Sequence, residues 1–218
     1  MFIYEYSIRA LDFIYFARKS LIGDITPAYI HSTALNAALQ TVFNMRDDEN
    51  YIVMNEANKP RYNELFKNKP FYLTPARPVS VTFVNQGITS NPEGYIFKVT
   101  RGEILRFQPM RVATPGSIWT GFLVSTEDIN IANMKIRLGR GRSPAKISFK
   151  LLTNFNRDTV NEGTTIVSHV GDPLNYKIVK GLLINTLPYP LVENPTIRGR
   201  YIITKSKIIG IPNTTDIT

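Results

Sequence analysis

Residues 134–152 read MKIRLGRGRSPAKISFKLL, and this stretch predicts a β-hairpin whose two faces differ in chemistry. Successive side chains of a strand point to opposite faces, so alternate residues share a face. One face would be apolar and would carry Met134, Ile136, Leu138, Ile147, Phe149 and Leu151. The other would be polar and mostly cationic and would carry Lys135, Arg137, Lys146, Ser148 and Lys150. The sequence therefore predicts a basic β-ribbon at about residues 134–152.

The turn between the two strands reads GRGRSP from Gly139 onward. Gly139 and Gly141 permit close backbone approach, and Arg140 and Arg142 carry guanidinium groups that can donate paired hydrogen bonds to phosphate. The surrounding segment 129–157 contains seven Lys and Arg residues and no Asp or Glu. An ordinary solvated sheet face is the alternative, but such a face usually mixes charges because like charges opposite each other destabilise a sheet. We expect the ribbon to contact nucleic acid.

The charge of the whole chain agrees with this expectation. The 218 residues carry a formal net charge of +9, from 26 Lys and Arg residues against 17 Asp and Glu residues. Most of the surplus lies in the middle, because residues 77–157 contain 12 basic and 4 acidic side chains. A basic surplus concentrated in one part of a protein favours polyanions such as nucleic acid.

A second candidate segment, residues 98–119, interleaves cationic and aromatic side chains. Cations can contact phosphates, and flat rings can stack on unpaired bases, although a core position is the alternative for each ring. The candidate RNA-binding residues here are Lys98, Arg101, Arg106, Phe107, Arg111 and Trp119. A third basic patch contains Arg198 and Arg200, and its alternative is a plain surface strand.

Hydrophobic periodicity predicts an α+β fold with one sizeable core. Phe2–Ala10 alternates as a strand does, and Thr26-Pro27 is a favourable helix start before an apolar stripe that continues to Val42. A shorter helix is predicted near residues 60–67. A hairpin with a long loop is predicted between Val79 and Thr100. Further strands are predicted at 103–107, 118–124, 134–138, 147–152, 177–184 and 201–208, with Pro188, Pro190 and Pro195 in the connector between the last two.

Several classes of chemistry are disfavoured by composition. The chain has no Cys, so disulfides and thiolate metal sites are not expected. His31 and His169 lie outside metal-ligand spacings, and we expect structural roles for both. The chain lacks a nucleotide-binding glycine motif, a secretion signal and an apolar run long enough to span a membrane. We expect no cofactor, no metal, no membrane partner and a cytoplasmic location.

Three further segments carry a resemblance to a known family. Residues 6–19 read YSIRALDFIYFARK, residues 30–35 read IHSTAL, and residues 187–194 read LPYPLVEN. In this order and spacing they resemble the Cas-five-type subunit of type I-D CRISPR Cascade, a member of the RAMP superfamily.

This resemblance implies a single ferredoxin-like (RRM/RAMP) domain over residues 1–218, with a β-sheet backed by helices, additional C-terminal strands and an inserted β-hairpin thumb, which we place at about residues 79–111. It implies that the subunit grips the 5′ handle of the CRISPR RNA and caps the backbone filament of Cas-seven-type subunits. It also implies contact with the large subunit of the type I-D complex and with target DNA near the protospacer-adjacent motif. Arg198 and Arg200 would lie in the glycine-containing loop of RAMP proteins.

Two other functions remain open on the sequence. Relatives in another CRISPR type cut repeat RNA without a metal and resemble one another in a tyrosine, lysine and histidine constellation with an adjacent Lys-His pair. This chain has no Lys-His pair, since His31 follows Ile30 and His169 follows Ser168. We therefore expect no enzyme activity, with a metal-independent endoribonuclease as one alternative and a basic structural protein without specific RNA as the other.

Overall fold

The computed structural model describes residues 1–16, 19–20, 23–45, 62–89, 107–129, 132–139 and 141–213. The described residues form an α+β fold of mostly antiparallel strands with one α-helix, α1 at Ser32–Val42. Short 3-10 helices lie at Tyr62–Phe66 and Arg157–Thr159. The strands are β1 Phe2–Ala10, β2 Lys19–Ser20, β3 Gly23–Ile25, β4 Phe71–Leu73, β5 Arg77–Ser80, β6 Phe83–Thr89, β7 Phe107–Ala113, β8 Ile118–Ser125, β9 Asn133–Leu138, β10 Ser143–Asn154, β11 Asn161–Ile166, β12 Ile178–Ile184, β13 Leu191–Ile203 and β14 Ile208–Gly210.

The central sheet has the strand order β4-β8-β1-β10-β9, and β5 also pairs with β8. The predicted first strand is confirmed, and it lies in the middle of this sheet because both of its neighbours pair with it antiparallel. One face of β1 is buried beside α1, with Tyr6 and Ile8 both at 0% exposure. Those side chains share the main core with Leu39, Trp119 and Ile147.

The predicted helix start is wrong by several residues. The residues before the helix are held by other partners, because the Thr26 N–H donates to Arg111 O and Ile30 exchanges two backbone hydrogen bonds with Ala76. Helix α1 therefore begins only at Ser32, and His31 caps it by accepting a hydrogen bond from the Thr33 N–H. The apolar stripe is buried at Leu35 and Leu39 but ends at Val42, which is 44% exposed. The second predicted helix is present only as the 3-10 helix Tyr62–Phe66.

The segment chosen as the thumb contains a pair of antiparallel strands. Strand β6 pairs with β7, with Phe83 opposite Ala113 and Thr89 opposite Phe107. The predicted partner near 95–99 lies outside the described residues, as does the predicted strand 103–107 apart from Phe107. Strand β5 belongs to the central sheet, whereas β6 belongs to a second sheet with the order β2-β3-β7-β6.

The C-terminal residues form a third sheet with the order β11-β13-β12, to which β14 adds through β13. The predicted strand 201–208 is wrong, because the chain turns where Thr204 and Lys207 exchange hydrogen bonds. Pro195 lies inside β13 instead of in the connector. No helix in the described ranges is long and apolar enough to cross a membrane.

Candidate nucleic-acid interface

The two strands of the basic ribbon pair as the sequence predicts. Strands β9 and β10 are antiparallel, with Lys135 opposite Lys146 and Ile136 opposite Ala145. The apolar side chains of Ile136, Leu138 and Ile147 are buried, at 0–2% exposure. Lys135, Arg137, Lys146 and Lys150 are exposed on the other face. The ribbon is thus apolar beneath and cationic above, and its apolar side forms part of the main core.

Leu151 departs from the predicted pattern, since it is 45% exposed. The register between β1 and β10 shifts there: Tyr4 pairs with Leu151, whereas Ile3 pairs with Thr153. The extra residue, Leu152, packs against a second apolar cluster instead. Such a β-bulge breaks the alternation of faces, so the two-residue period could not be extended past Lys150.

The structure adds Arg9 to the cationic face, a residue that the sequence argument did not choose as a site. Arg9 in β1 lies opposite Lys146 in β10, which lies opposite Lys135 in β9. All three side chains are exposed, and residues directly opposite each other share one face of a sheet. We call this set the cationic row. The pairing of β1 with β10 joins residues far apart in sequence, so the polar alternation of β1 was the only available signal for Arg9.

Neutral polar residues occupy the next position along the strands. Ser7 lies opposite Ser148, which lies opposite Asn133, and the Ser148 hydroxyl donates a hydrogen bond of 2.6 Å to Asn133 Oδ1. One position further on, Glu5 lies opposite Lys150. Glu5 is itself neutralised by an ion pair of 2.6 Å with Lys207. The acidic side chain nearest along β1 is therefore already paired.

A second apolar cluster covers the other end of this sheet face. It joins Ile3, Phe122 and Val124 of the central sheet to Ile202 and Ile209 of the C-terminal sheet. The cationic row lies on the half of the face beyond this cluster, past Glu5 and Ser7 along β1. The fold therefore leaves a solvent-exposed, basic area beside a buried one.

The hairpin loop uses its first glycine for a contact within the chain. Gly139 has φ +73°, and a Cβ there would lie 2.3 Å from the backbone oxygen of Tyr15. Arg142 is exposed and has φ +50°, and its backbone oxygen accepts a hydrogen bond of 3.1 Å from Arg137 Nη1. Arg140 lies outside the described residues. The close approach expected for Gly139 is thus an approach to Tyr15.

The second candidate segment is only partly described. Lys98, Arg101 and Arg106 lie outside the described residues, and the side chain of Phe107 is not described either. The Arg111 side chain is exposed, and its guanidinium carbon lies 4.2 Å from the centroid of the Phe83 ring, a cation–π contact.

The expectation that Trp119 stacks on a base is wrong. Its side chain is 1% exposed in the main core, and its Nε1 donates a hydrogen bond of 2.7 Å to Ala28 O. An indole whose N–H is satisfied inside the core offers no face to a nucleotide. The alternative stated for this residue, a core position, is the one that the structure supports.

The third candidate patch is mixed in sign. Arg198 and Arg200 lie on β13 in the C-terminal sheet, where Arg198 is opposite Thr164 and Arg200 is opposite Glu162. Arg198 is exposed and Arg200 is half-buried. This patch belongs to a different sheet from the cationic row.

His169 is a satisfied core residue. It is 2% exposed, and its Nε2 accepts a hydrogen bond of 3.1 Å from the Gly210 N–H. Its Nδ1 therefore carries the proton and donates to Val170 O at 2.8 Å. Burial lowers the pKa of His169 from 6.5 to about 4. Its imidazole is neutral at pH 7, and both of its nitrogens are occupied.

His31 is also buried, at 5% exposure, and burial lowers its pKa to about 4. Its Nδ1 accepts from the Thr33 N–H at 3.3 Å, which assigns the ring to the helix cap. The ring meets Tyr189 edge to face, with 4.4 Å between centroids. Both histidines therefore have structural roles, His169 in the core and His31 at the helix cap.

Sequence reasoning missed a buried polar cluster around Asp172, which is 0% exposed. Its Oδ2 accepts hydrogen bonds from the hydroxyl of Ser32, from Tyr189 at 3.1 Å and from Asn175 Nδ2 at 3.0 Å. Burial, and then the proximity of Asp172, raise the pKa of Tyr189 well above its usual value, so its hydroxyl remains a donor. Asp172 follows no motif, so only the tertiary structure reveals it.

Two of the three segments quoted for the family resemblance contribute residues to this cluster. His31 and Ser32 belong to the IHSTAL segment, and Tyr189 belongs to LPYPLVEN. The last two residues of LPYPLVEN, Glu193 and Asn194, both contact Arg77 Nη2, at 2.5 and 2.6 Å. These residues thus fasten the C-terminal segment to helix α1 and to strand β5.

Within the described ranges, no three His, Asp or Glu residues lie close enough together to hold a metal ion. The cationic face therefore stands as the candidate site. Its exposed side chains are hydrogen-bond donors, which suit phosphate oxygens.

The comparison with family models places this chain in a CRISPR-associated family. The family model described as "Type I-D CRISPR-associated protein Cas5/Csc1" matches residues 1–218. No curated protein matches the chain. Among solved structures, the chain is similar to one in a cryo-EM structure of the Type III-B Cmr-beta bound to cognate target RNA and AMPPnP. The TM-score is 0.42 and the sequence identity 10%, over 94% of this chain and 85% of the other.

Proposed function

The chain belongs to the type I-D CRISPR-associated Cas5/Csc1 family, and on this premise we propose that it is a non-catalytic, RNA-binding subunit of a CRISPR effector complex. The observation that carries the proposal is the exposed cationic face of the sheet. Lys135 and Lys146 lie directly opposite each other there, although like charges in that position destabilise a sheet. A surface that keeps this repulsion is suited to a polyanionic ligand.

We further propose a finer role. The subunit grips the 5′ handle of the CRISPR RNA, caps a filament of Cas-seven-type subunits and contacts the large subunit near target DNA. The domain is ferredoxin-like, its thumb includes the β6–β7 hairpin, and the complex acts in the cytoplasm. Phosphate contacts from the cationic face provide affinity, and base contacts elsewhere provide register.

Co-purification tests the RNA-binding role. The full chain, expressed in cells that transcribe a CRISPR array, is purified at low salt and its bound nucleic acid is extracted and sequenced. We expect short RNA with one shared 5′ sequence. Random RNA of every length would instead support the basic structural protein, and no RNA at all would refute the proposal.

The absence of catalysis is tested separately. Purified protein is incubated with labelled repeat RNA in EDTA, which leaves metal-independent cleavage intact. We expect no cleavage, since His31 and His169 are buried and out of reach of a bound RNA. Specific cleavage that disappears in His31→Ala or His169→Ala would establish the endoribonuclease instead.

A further inference from the structure

The cationic row has a direction, and that direction constrains how RNA lies on the protein. Arg9, Lys146 and Lys135 sit on three adjacent strands in register. Neighbouring strands are about 4.8 Å apart, so the row extends about 10 Å at right angles to the strands. Along the strands, by contrast, the positions on either side of the row carry fewer cations.

On one side of the row lie the uncharged Ser7, Ser148 and Asn133. The position on the other side of the row is formed by Leu11, Pro144 and Arg137. Arg137 lies opposite Pro144, and the Leu11 N–H donates to Pro144 O. Only one of these three residues, Arg137, is a cation. Within the described ranges, the row is thus the position where β1, β10 and β9 all present a cation. The exposed positive charges therefore form a line that runs across the strands.

None of the three row residues forms an ion pair with an acidic side chain in the part of the chain that the structure describes. Glu5, on the same face of β1, is paired with Lys207. The three cations are therefore free to donate to an external anion. Their long side chains allow contact with two or three successive phosphates.

We propose that single-stranded RNA crosses β1, β10 and β9 along the row Arg9–Lys146–Lys135, which makes Arg9 an RNA-binding residue. This inference rests on the proposed function and specifies the path of the backbone. Ser7 and Ser148 then lie beside the RNA, where their hydroxyl groups can form hydrogen bonds with ribose 2′-hydroxyls.

The test measures affinity for a labelled single-stranded RNA carrying the 5′ sequence of the CRISPR repeat, at several salt concentrations. The variants are Arg9→Gln, Lys146→Gln and Lys135→Gln, and Lys180→Gln on exposed strand β12 is the matched control. Each row variant should lower the log–log salt slope by about 0.7, the value for one lost phosphate contact on a single strand. The control should keep the wild-type slope.

A charge-relocation variant separates geometry from total charge. Arg9→Gln combined with Ser7→Arg preserves the net charge but moves the cation to the next position on the same face of β1. We expect it to bind as weakly as Arg9→Gln alone. Full recovery of affinity would overturn the proposed path, because any nearby cation would then suffice.

The variants distinguish a wrong RNA path from a wrong RNA-binding face. If Arg9→Gln keeps wild-type affinity while Lys135→Gln and Lys146→Gln weaken binding, the RNA follows the ribbon without crossing β1, and only the inference fails. If none of the three variants changes affinity or slope, the cationic face does not bind RNA and the proposed interface fails as well. Thermal melts of each variant verify that the fold is retained.

Discussion

The side chain of Asp172 accepts a hydrogen bond from the hydroxyl of Ser32, a residue 140 positions earlier in the chain. Ser32 is the first residue of α1, so the Asp172 carboxyl group lies at the helix N-terminus, where the helix dipole favours negative charge. Tyr189 and Asn175 donate to the same oxygen. Asp172 thus connects the helix with the C-terminal segment.

Replacing Asp172 with Ala should destabilise the protein strongly. The substitution removes the acceptor of the buried Ser32 hydroxyl and of the Tyr189 hydroxyl, and each unsatisfied group costs about 1–3 kcal/mol. We expect a loss of roughly 3 kcal/mol or more in the free energy of unfolding, measured by urea denaturation. Asp158→Ala, at an exposed position, is the control and should change it by less than about 0.5 kcal/mol. Equal stability of the two variants would contradict the role of Asp172.

Replacing Trp119 with Phe should affect stability and not RNA recognition. The variant loses the Nε1 hydrogen bond to Ala28 O and leaves a gap in the main core, so we expect it to cost about 1–3 kcal/mol. RNA affinity, measured well below the melting temperature, should equal that of the wild type. A variant that melts like wild type but loses its preference for the handle sequence would return Trp119 to the interface.

Acidification should destabilise the fold between pH 6.5 and about 4.5. His169 has a pKa near 4 in the folded protein and an ordinary value near 6.5 when unfolded, so the unfolded state binds more protons in this window. Stability therefore falls as pH falls, by about 2–3 kcal/mol from this residue. His31 acts in the same direction. Urea denaturation at pH 7, 5.5 and 4.5 measures the effect.

The variant His169→Gln is the control for the pH experiment, because glutamine does not titrate. It should be less stable than wild type at pH 7, since it loses the hydrogen bonds that the imidazole makes with Val170 O and the Gly210 N–H. Its stability should nevertheless depend less on pH. An identical pH dependence in both proteins would refute the burial of a neutral His169.

Alanine substitutions at two glycines should differ in cost. Gly139 and Gly116 both have positive φ, at +73° and +85°, so each substitution strains the backbone, by roughly 1 kcal/mol. Only at Gly139 would the added Cβ also meet backbone, 2.3 Å from Tyr15 O, whereas nothing lies within 4 Å at Gly116. We expect a clearly lower melting temperature for Gly139→Ala than for Gly116→Ala. Equal melting temperatures would mean that the loop does not pack on Tyr15.

Local patterns in the sequence predicted the parts of the fold that local physics determines. The alternation in β1 and in the ribbon is such a pattern, since burial of one face imposes a two-residue period. The start of α1 was missed because Ile30 makes backbone hydrogen bonds with Ala76 and not within a helix, and no local signal reveals that partner. Thr204 and Lys207 form a turn inside a segment whose composition suits a strand.

The candidate site was likewise predictable only in part. Lys135 and Lys146 were identified from their own hairpin, whereas Arg9 joins them through the pairing of β1 with β10. The sequence left both stacking and a core position open for Trp119, because a tryptophan among cations is typical of both a core and an interface. Asp172 was missed because a buried carboxyl group is recognisable only from the donors that the fold brings to it.

If the cationic face binds the RNA backbone, its cations contribute to the salt dependence of binding, which a titration can measure. Wild-type protein and the triple variant Arg9→Gln, Lys135→Gln and Lys146→Gln are titrated with the same labelled repeat RNA over a range of salt concentrations. All three residues are exposed, so the variant should keep its fold. We expect weaker binding and a log–log slope smaller by about 2, since each lost contact removes about 0.7. Wild-type affinity and slope in the triple variant would show that the RNA backbone binds elsewhere.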